Sequence, residues 1–130
     1  MVVLDTNILI DHLRQSGKND SILTDLIREN PKETIAISMI SIQELYEGKS
    51  TKQEEKEKDM LAIVAPLKIL PYSFEVAKLA GQISRDLPQP IELADAAIAA
   101  TTILNGGKLM TLNRRDFNDI SRLDLVPLKP

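Results

Sequence analysis

Short apolar runs alternate with helix-like segments along the whole chain, and few folds accept that alternation. Segments 1–4, 34–38, 68–71 and 108–112 have strand length, and segments with apolar residues at helical spacing separate them. Strands spaced by helices cannot be joined by hairpins, so they pair in parallel and give an α/β domain. At 130 residues the chain makes one domain, 1–130, large enough to bury a core without disulfide or metal staples.

The helical segments carry their own punctuation. Residues 7–14 and 21–29 read as helices, the second with a stripe of Ile22, Leu23, Leu26 and Ile27 and a stop at Asn30-Pro31. Residues 41–47 follow, with Gly48 as the end. Residues 51–64 begin as a run of mixed charge, the mark of a solvated helix face. Ser73 caps a helix to Leu87, which Pro88 and Pro90 break. Residues 92–104 are apolar on nearly every side and should be buried, with Gly106-Gly107 as their terminator. Residues 113–120 form a short helical turn, and 123–128 can supply a last edge strand.

Composition removes several functions. With no Cys there is no thiol nucleophile, zinc-thiolate site or disulfide framework. Aromatics are 3% of the chain, too few for a stacking platform for single-stranded bases. A net charge of −3 opposes non-specific grip on nucleic acid, so any such substrate needs a local basic patch or a bound cation. No secretory signal or bilayer-length apolar run is visible, so the expectation is a soluble cytoplasmic protein with no membrane partner.

Four acids sit where a soluble chain can least accommodate them. Asp5 interrupts the first apolar run, Glu44 follows the apolar stretch 35–42, Asp95 lies in Leu-Ala-Asp-Ala-Ala-Ile, and Asp116 comes just after Leu109-Met110-Thr111-Leu112. Carboxylates are rarely buried unless paired, hydrogen-bonded or bound to a cation. In a parallel sheet, ligands bind outside the carboxyl ends of the strands. Connectivity places Asp5, Glu44 and Asp116 at that edge; it does not place Asp95. Two carboxylates ~4 Å apart repel by ~4 kcal/mol at an effective dielectric near 20. A converged set therefore calls for a counter-charge, and oxygen ligands without His or Cys favour Mg²⁺ or Mn²⁺. Such an ion can activate water for phosphodiester hydrolysis.

Each acid also has a plain structural explanation. Glu44 completes the capping box Ser41-x-x-Glu44, Asp116 stands three residues after a possible cap at Asn113, and Asp5 and Asp95 suit helix N-termini. Thr6, Asn7, Thr111 and Asn113 are polar groups beside the proposed site, able to orient water or substrate or simply to shape turns. Arg114 and Arg115 are the local candidates for phosphate contact. His12 is the only histidine, which suits a structural role and rules out a ribonuclease built on a His pair.

Four segments, Val3-Leu4-Asp5-Thr6-Asn7-Ile8-Leu9-Ile10, Ile40-Ser41-Ile42-Gln43-Glu44-Leu45, Ala94-Asp95-Ala96-Ala97-Ile98-Ala99-Ala100 and Thr111-Leu112-Asn113-Arg114-Arg115-Asp116-Phe117, in this order, resemble the PIN-domain ribonucleases, most closely the VapC toxins of toxin–antitoxin pairs. The resemblance implies a PIN-like fold, a central parallel β-sheet flanked by α-helices on both faces. It implies Mg²⁺ or Mn²⁺ held by Asp5 and Asp95, with Glu44 and Asp116 completing the cluster directly or through water. Thr111 and Asn113 match polar positions near the fourth acid. The implied reaction is hydrolysis of RNA by metal-activated water, in a homodimer neutralised by a small VapB-like antitoxin.

Two other classes begin similarly. A phosphatase of haloacid-dehalogenase type wants a second Asp two residues after the first, where this chain has Asn7. A catalytically inert PIN-like module would keep the acids without the reaction. A phospho-acceptor receiver needs an Asp at the end of a middle strand, and Pro71-Tyr72-Ser73 offers none.

Overall fold

A computed structural model describes residues 1–15 and 20–128. Four strands, β1 (Val2–Leu4), β2 (Ile35–Ser38), β3 (Lys68–Leu70) and β4 (Lys108–Met110), form one sheet in the order β3-β2-β1-β4. Every pairing is parallel, with Val3 opposite both Ala36 and Leu109. The helices are α1 (Thr6–Gln15), α2 (Ile22–Glu29), α3 (Met39–Glu47), α4 (Glu54–Val64), α5 (Phe74–Asp86), α6 (Leu93–Leu104) and α7 (Arg114–Phe117), with a 3₁₀ turn at Lys49–Lys52.

Alternation along each strand divides the core between two faces. Val2, Leu4, Ile37 and Met110 pack against Ile8 and Leu9 of α1, Leu23 and Leu26 of α2, Leu45 of α3, and Met60 and Val64 of α4. Val3, Ala36 and Leu109 point the other way, onto Ile98 and Ala99 of α6 and Phe117 of α7. The alanines of α6 then let α5 approach closely, with Val76 and Ala80 set against Ala96 and Ala100. Helices thus cover both faces, which is why the strands are apolar without a polar side. Helix α6 is buried from Ala96 to Thr102, as its all-round apolarity requires.

Several boundaries differ from the sequence reading for identifiable reasons. Helix α3 starts two residues early because Ser38, not Ser41, is the cap: its hydroxyl accepts from the Ile40 N–H at 3.2 Å. The capping box therefore does not form, and Ser41 is buried inside the helix. Strand β4 stops at Met110 rather than 112, because Thr111 turns its side chain to Asp5. The expected last strand, 123–128, reduces to a single bridge between Leu109 and Leu125. Two backbone bonds of 2.8 Å, Leu109 N–H to Asp124 O and Val126 N–H to Leu109 O, hold it, and Pro127 cannot donate to extend it. The turn expected at 113–120 is helical only over Arg114–Phe117.

Gly106 and Gly107 reverse the chain from α6 into β4. Gly106 takes φ 68°, the left-handed value that ends helices. At Gly107 a Cβ would stand 3.2 Å from the Met1 carbonyl oxygen, so the lack of one lets β4 dock beside β1. Among the described residues no helix is long and apolar enough to cross a membrane.

Candidate metal centre at the sheet edge

The strand order reverses direction at β1: β2 lies on one side and β4 on the other. That switch point opens a crevice at the carboxyl ends of the strands. Asp5, the residue after β1, sits there with 4% of its surface exposed. Its Oδ1 accepts from the N–H of Thr6, the first residue of α1, at 2.7 Å, one residue short of the amides that a helix cap serves. Its Oδ2 does something a cap does not need. It accepts from the Asn7 amide at 3.2 Å and from the Thr111 hydroxyl at 2.7 Å, the second of which joins β1 to the end of β4 across the switch. Asn7 in turn accepts from the Leu112 N–H, and the Thr111 oxygen accepts from the Asn113 N–H. Thr111, Asn7 and Asn113 thus belong to one network that fixes Asp5. Burial pushes the Asp5 carboxyl up, the Thr111 and Thr6 bonds pull it down, and the charge of Asp116 adds to the rise.

Glu44 is brought to the same edge by α3. It projects from the second turn of the helix toward Thr6, whose hydroxyl donates to Glu44 Oε1 at 2.6 Å and lies 2.9 Å from the Ser41 hydroxyl. One proton serves the Thr6–Glu44 bond, which leaves the Thr6 oxygen free to accept from Ser41. Burial raises the Glu44 pKa, the Thr6 bond opposes it, and Asp5 raises it further. Ser41 escaped the sequence reading as a positioning group because its motif suggested a cap. Its place one helical turn before Glu44 was the available signal.

Asp95 stands in the first turn of α6, partly buried, and its side chain makes no hydrogen bond or ion pair among the described residues. Its carboxyl is pushed up to about 7 from an ordinary 3.8, chiefly by burial, then by the charges of Asp5, Glu44, Asp116 and Glu92. All three other expected acids therefore act electrostatically on Asp95, and Glu92 joins them. Connectivity also accounts for its position: α6 feeds β4 directly, so it runs antiparallel to the sheet and begins at the carboxyl edge.

Asp116 is exposed on α7 and shares a cleft of about 260 Å³ with Asp95, Glu92, Asp119, Arg115 and residues 87–91. The two arginines divide. Arg114 donates to the Val126 carbonyl at 2.8 Å and ties down the C-terminal segment, whereas Arg115 faces the cleft. His12 lies apart in function, its Nδ1 2.6 Å from the Ser21 hydroxyl at the start of α2.

Among the described residues no three acidic or His side chains are posed as a ready ligand set for one ion. The donor set fits a hard divalent cation: carboxylates and hydroxyls only, two carboxylates anchored by hydrogen bonds and a third raised by burial and by its charged neighbours.

A four-stranded parallel α/β domain with acids gathered at its switch point is the class that fold and geometry define. Its family follows from comparison with known proteins. The PIN domain family model matches residues 2–123, and the chain belongs to that family. It is similar to Ribonuclease VapC19 of Mycobacterium tuberculosis, 30% identical over 123 residues that span 90% of this chain and 92% of the relative. Among solved structures it is similar to VapBC2 from Rickettsia felis bound to a promoter DNA fragment, with 29% identity, a TM-score of 0.83, and 97% of this chain and 98% of that one covered. DNA-bound VapBC from Salmonella typhimurium superposes with the same TM-score of 0.83 at 25% identity, covering 96% of each chain.

Proposed function

We propose that this chain is a VapC-type endoribonuclease that needs Mg²⁺ or Mn²⁺, acts as the toxin of a toxin–antitoxin pair, and is restrained by a VapB-like antitoxin. The ribonuclease part is supported by family membership and by the similar VapC19. The antitoxin is supported by the VapBC complexes that the chain resembles. The metal requirement is supported by one observation: Asp95 is partly buried within electrostatic reach of Asp5, Glu44 and Asp116, and its carboxyl is pushed up to about 7 chiefly by burial and then by those charges. Pairing as a homodimer is favoured by two large apolar side chains left in water, Phe74 at 78% and Leu93 at 72% exposure.

Asp5 and Asp95 would hold the ion, with Glu44 and Asp116 completing its surroundings directly or through water. A bound ion supplies an activated water and charge neutralisation at the phosphoryl group. The chain's own residues do the positioning. Thr111 and Asn7 fix Asp5 Oδ2, and Thr6 fixes Glu44 Oε1, so two of the acids are held before anything binds. Pre-set geometry of this kind lowers the reorganisation needed at the moment of reaction.

The test is cleavage of RNA with Mg²⁺ or Mn²⁺. EDTA or Asp95→Asn should abolish it, and cleavage that survives both rejects the assignment. Hydrolysis of a simple phosphate ester without RNA cleavage would favour a phosphatase instead.

A further inference from the structure

We propose that the cleft beside Asp95 and Asp116 is a subsite for one unpaired RNA nucleotide, with its base against residues 87–91 under the Gln89 amide and its phosphate on Arg115. This rests on the ribonuclease reading and adds how the enzyme senses sequence next to the reacting bond.

The cleft, about 260 Å³, falls below the range of pockets for drug-sized molecules. It has room for a base and is too small to enclose a duplex. Its two walls differ in chemistry. One is Leu87-Pro88-Gln89-Pro90-Ile91, without charge, and two prolines fix its backbone in advance. The other carries Glu92, Asp95, Asp116 and Asp119 together with Arg115. A neutral base fits the first wall and a phosphate does not fit most of the second.

Arg115 is where the phosphate can lie. Its neighbour Arg114 is committed to the Val126 carbonyl, whereas Arg115 is exposed and makes no ion pair or hydrogen bond among the described residues. A guanidinium matches a phosphate in two-point geometry and loses that match when replaced by lysine. The four acids of the cleft repel the strand from other placements, so Arg115, the one cation lining it, sets the register of the phosphate relative to the metal-binding acids.

Gln89 supplies the selectivity. Its exposed amide has no partner among the described residues and offers both a donor and an acceptor. Unpaired bases present such complementary edges, and side-chain amides read them. The wall has no aromatic ring, so the base is held by its edge rather than by stacking.

The experiment compares the protein with Gln89→Ala, Arg115→Ala and Arg115→Lys. A random-sequence RNA pool is cut in Mn²⁺, the ends are sequenced, and KM and kcat are measured on a short oligonucleotide. The expected profile for the parent shows a base preference at one position flanking the cut. Gln89→Ala should reduce that preference at least about fivefold. Arg115→Ala should raise KM roughly tenfold with a smaller change in kcat, and Arg115→Lys should recover only part of it. Both side chains are exposed, so folding is not at stake. An unaltered base profile in Gln89→Ala, or a KM within about twofold in Arg115→Ala, overturns the subsite and leaves the ribonuclease standing. A parent protein that cuts no RNA overturns both.

Discussion

Replacing Asp95 by Asn keeps the size of the side chain and removes its charge, so it isolates the repulsion inside the acidic cluster. Displacement of the carboxyl from 3.8 to about 7 sets a ceiling of about 4 kcal/mol on the cost of ionising it in the fold, at 1.36 kcal/mol per pH unit. Solvent reaches part of the group, and screening reduces that to about 1–2 kcal/mol. Because the folded pKa is the higher one, the native state holds the proton more tightly than the unfolded chain. Stability without metal therefore falls as pH rises from about 4 to about 7 and then levels off. Asn does not titrate. In EDTA at pH 8 Asp95→Asn should be more stable than the parent by about 1–2 kcal/mol, and near pH 4 the two should converge. Urea denaturation followed by circular dichroism at both pH values reads this directly. Added Mn²⁺ should then reverse the order, because only the parent gains the full stabilisation of binding. A variant less stable than the parent at pH 8 in EDTA would show that Asp95 is answered by a favourable partner, and the repulsion argument would be wrong.

Three further outcomes follow from the same geometry. Thr111→Val removes the hydroxyl between Asp5 and the Asn113 N–H, and should cost about 1.5–3 kcal/mol in urea denaturation while weakening Mn²⁺ binding. A cost below about 0.5 kcal/mol would mean Asp5 is fixed by other means. Metal affinity by calorimetry should fall as pH drops below about 7, since Asp95 must lose its proton to bind, and a flat profile from pH 5.5 to 8 would remove Asp95 from the ligand set. Arg114→Ala should speed hydrogen exchange at the Val126 amide at least about tenfold more than at Val3, because the C-terminal segment loses its clamp; equal rates would contradict that role.

The order of elements was open to sequence reasoning because each strand is bounded by a chemical signal: Asp5 after β1, Asn30-Pro31 before β2, Pro71 after β3, Gly107 before β4. What stayed hidden depended on side chains distant in sequence. Ser41 reads as a cap until Thr6, 35 residues earlier, is seen to share its hydroxyl network. Arg114 and Arg115 are indistinguishable as letters, and only the packing of 123–126 against β4 commits the first and frees the second. The terminal strand failed because one bridge and a proline leave nothing to extend it. Asp95 is the instructive case. Connectivity from the strand before it does not place it, yet a helix that leads straight into a parallel strand must begin at the ligand edge.

The bond between Thr111 and Asp5 spans 106 positions of chain. The acids come in two widely separated pairs, and the pairs meet only after β4 has slotted in beside β1. During translation the first half leaves the ribosome with Asp5 and Glu44 already made and nothing to complete them. Whatever chemistry the assembled cluster performs is switched on late, once the final stretch has been synthesised and docked. A copy truncated before α6 would lack Asp95 and Asp116 and could not form the Thr111–Asp5 bond.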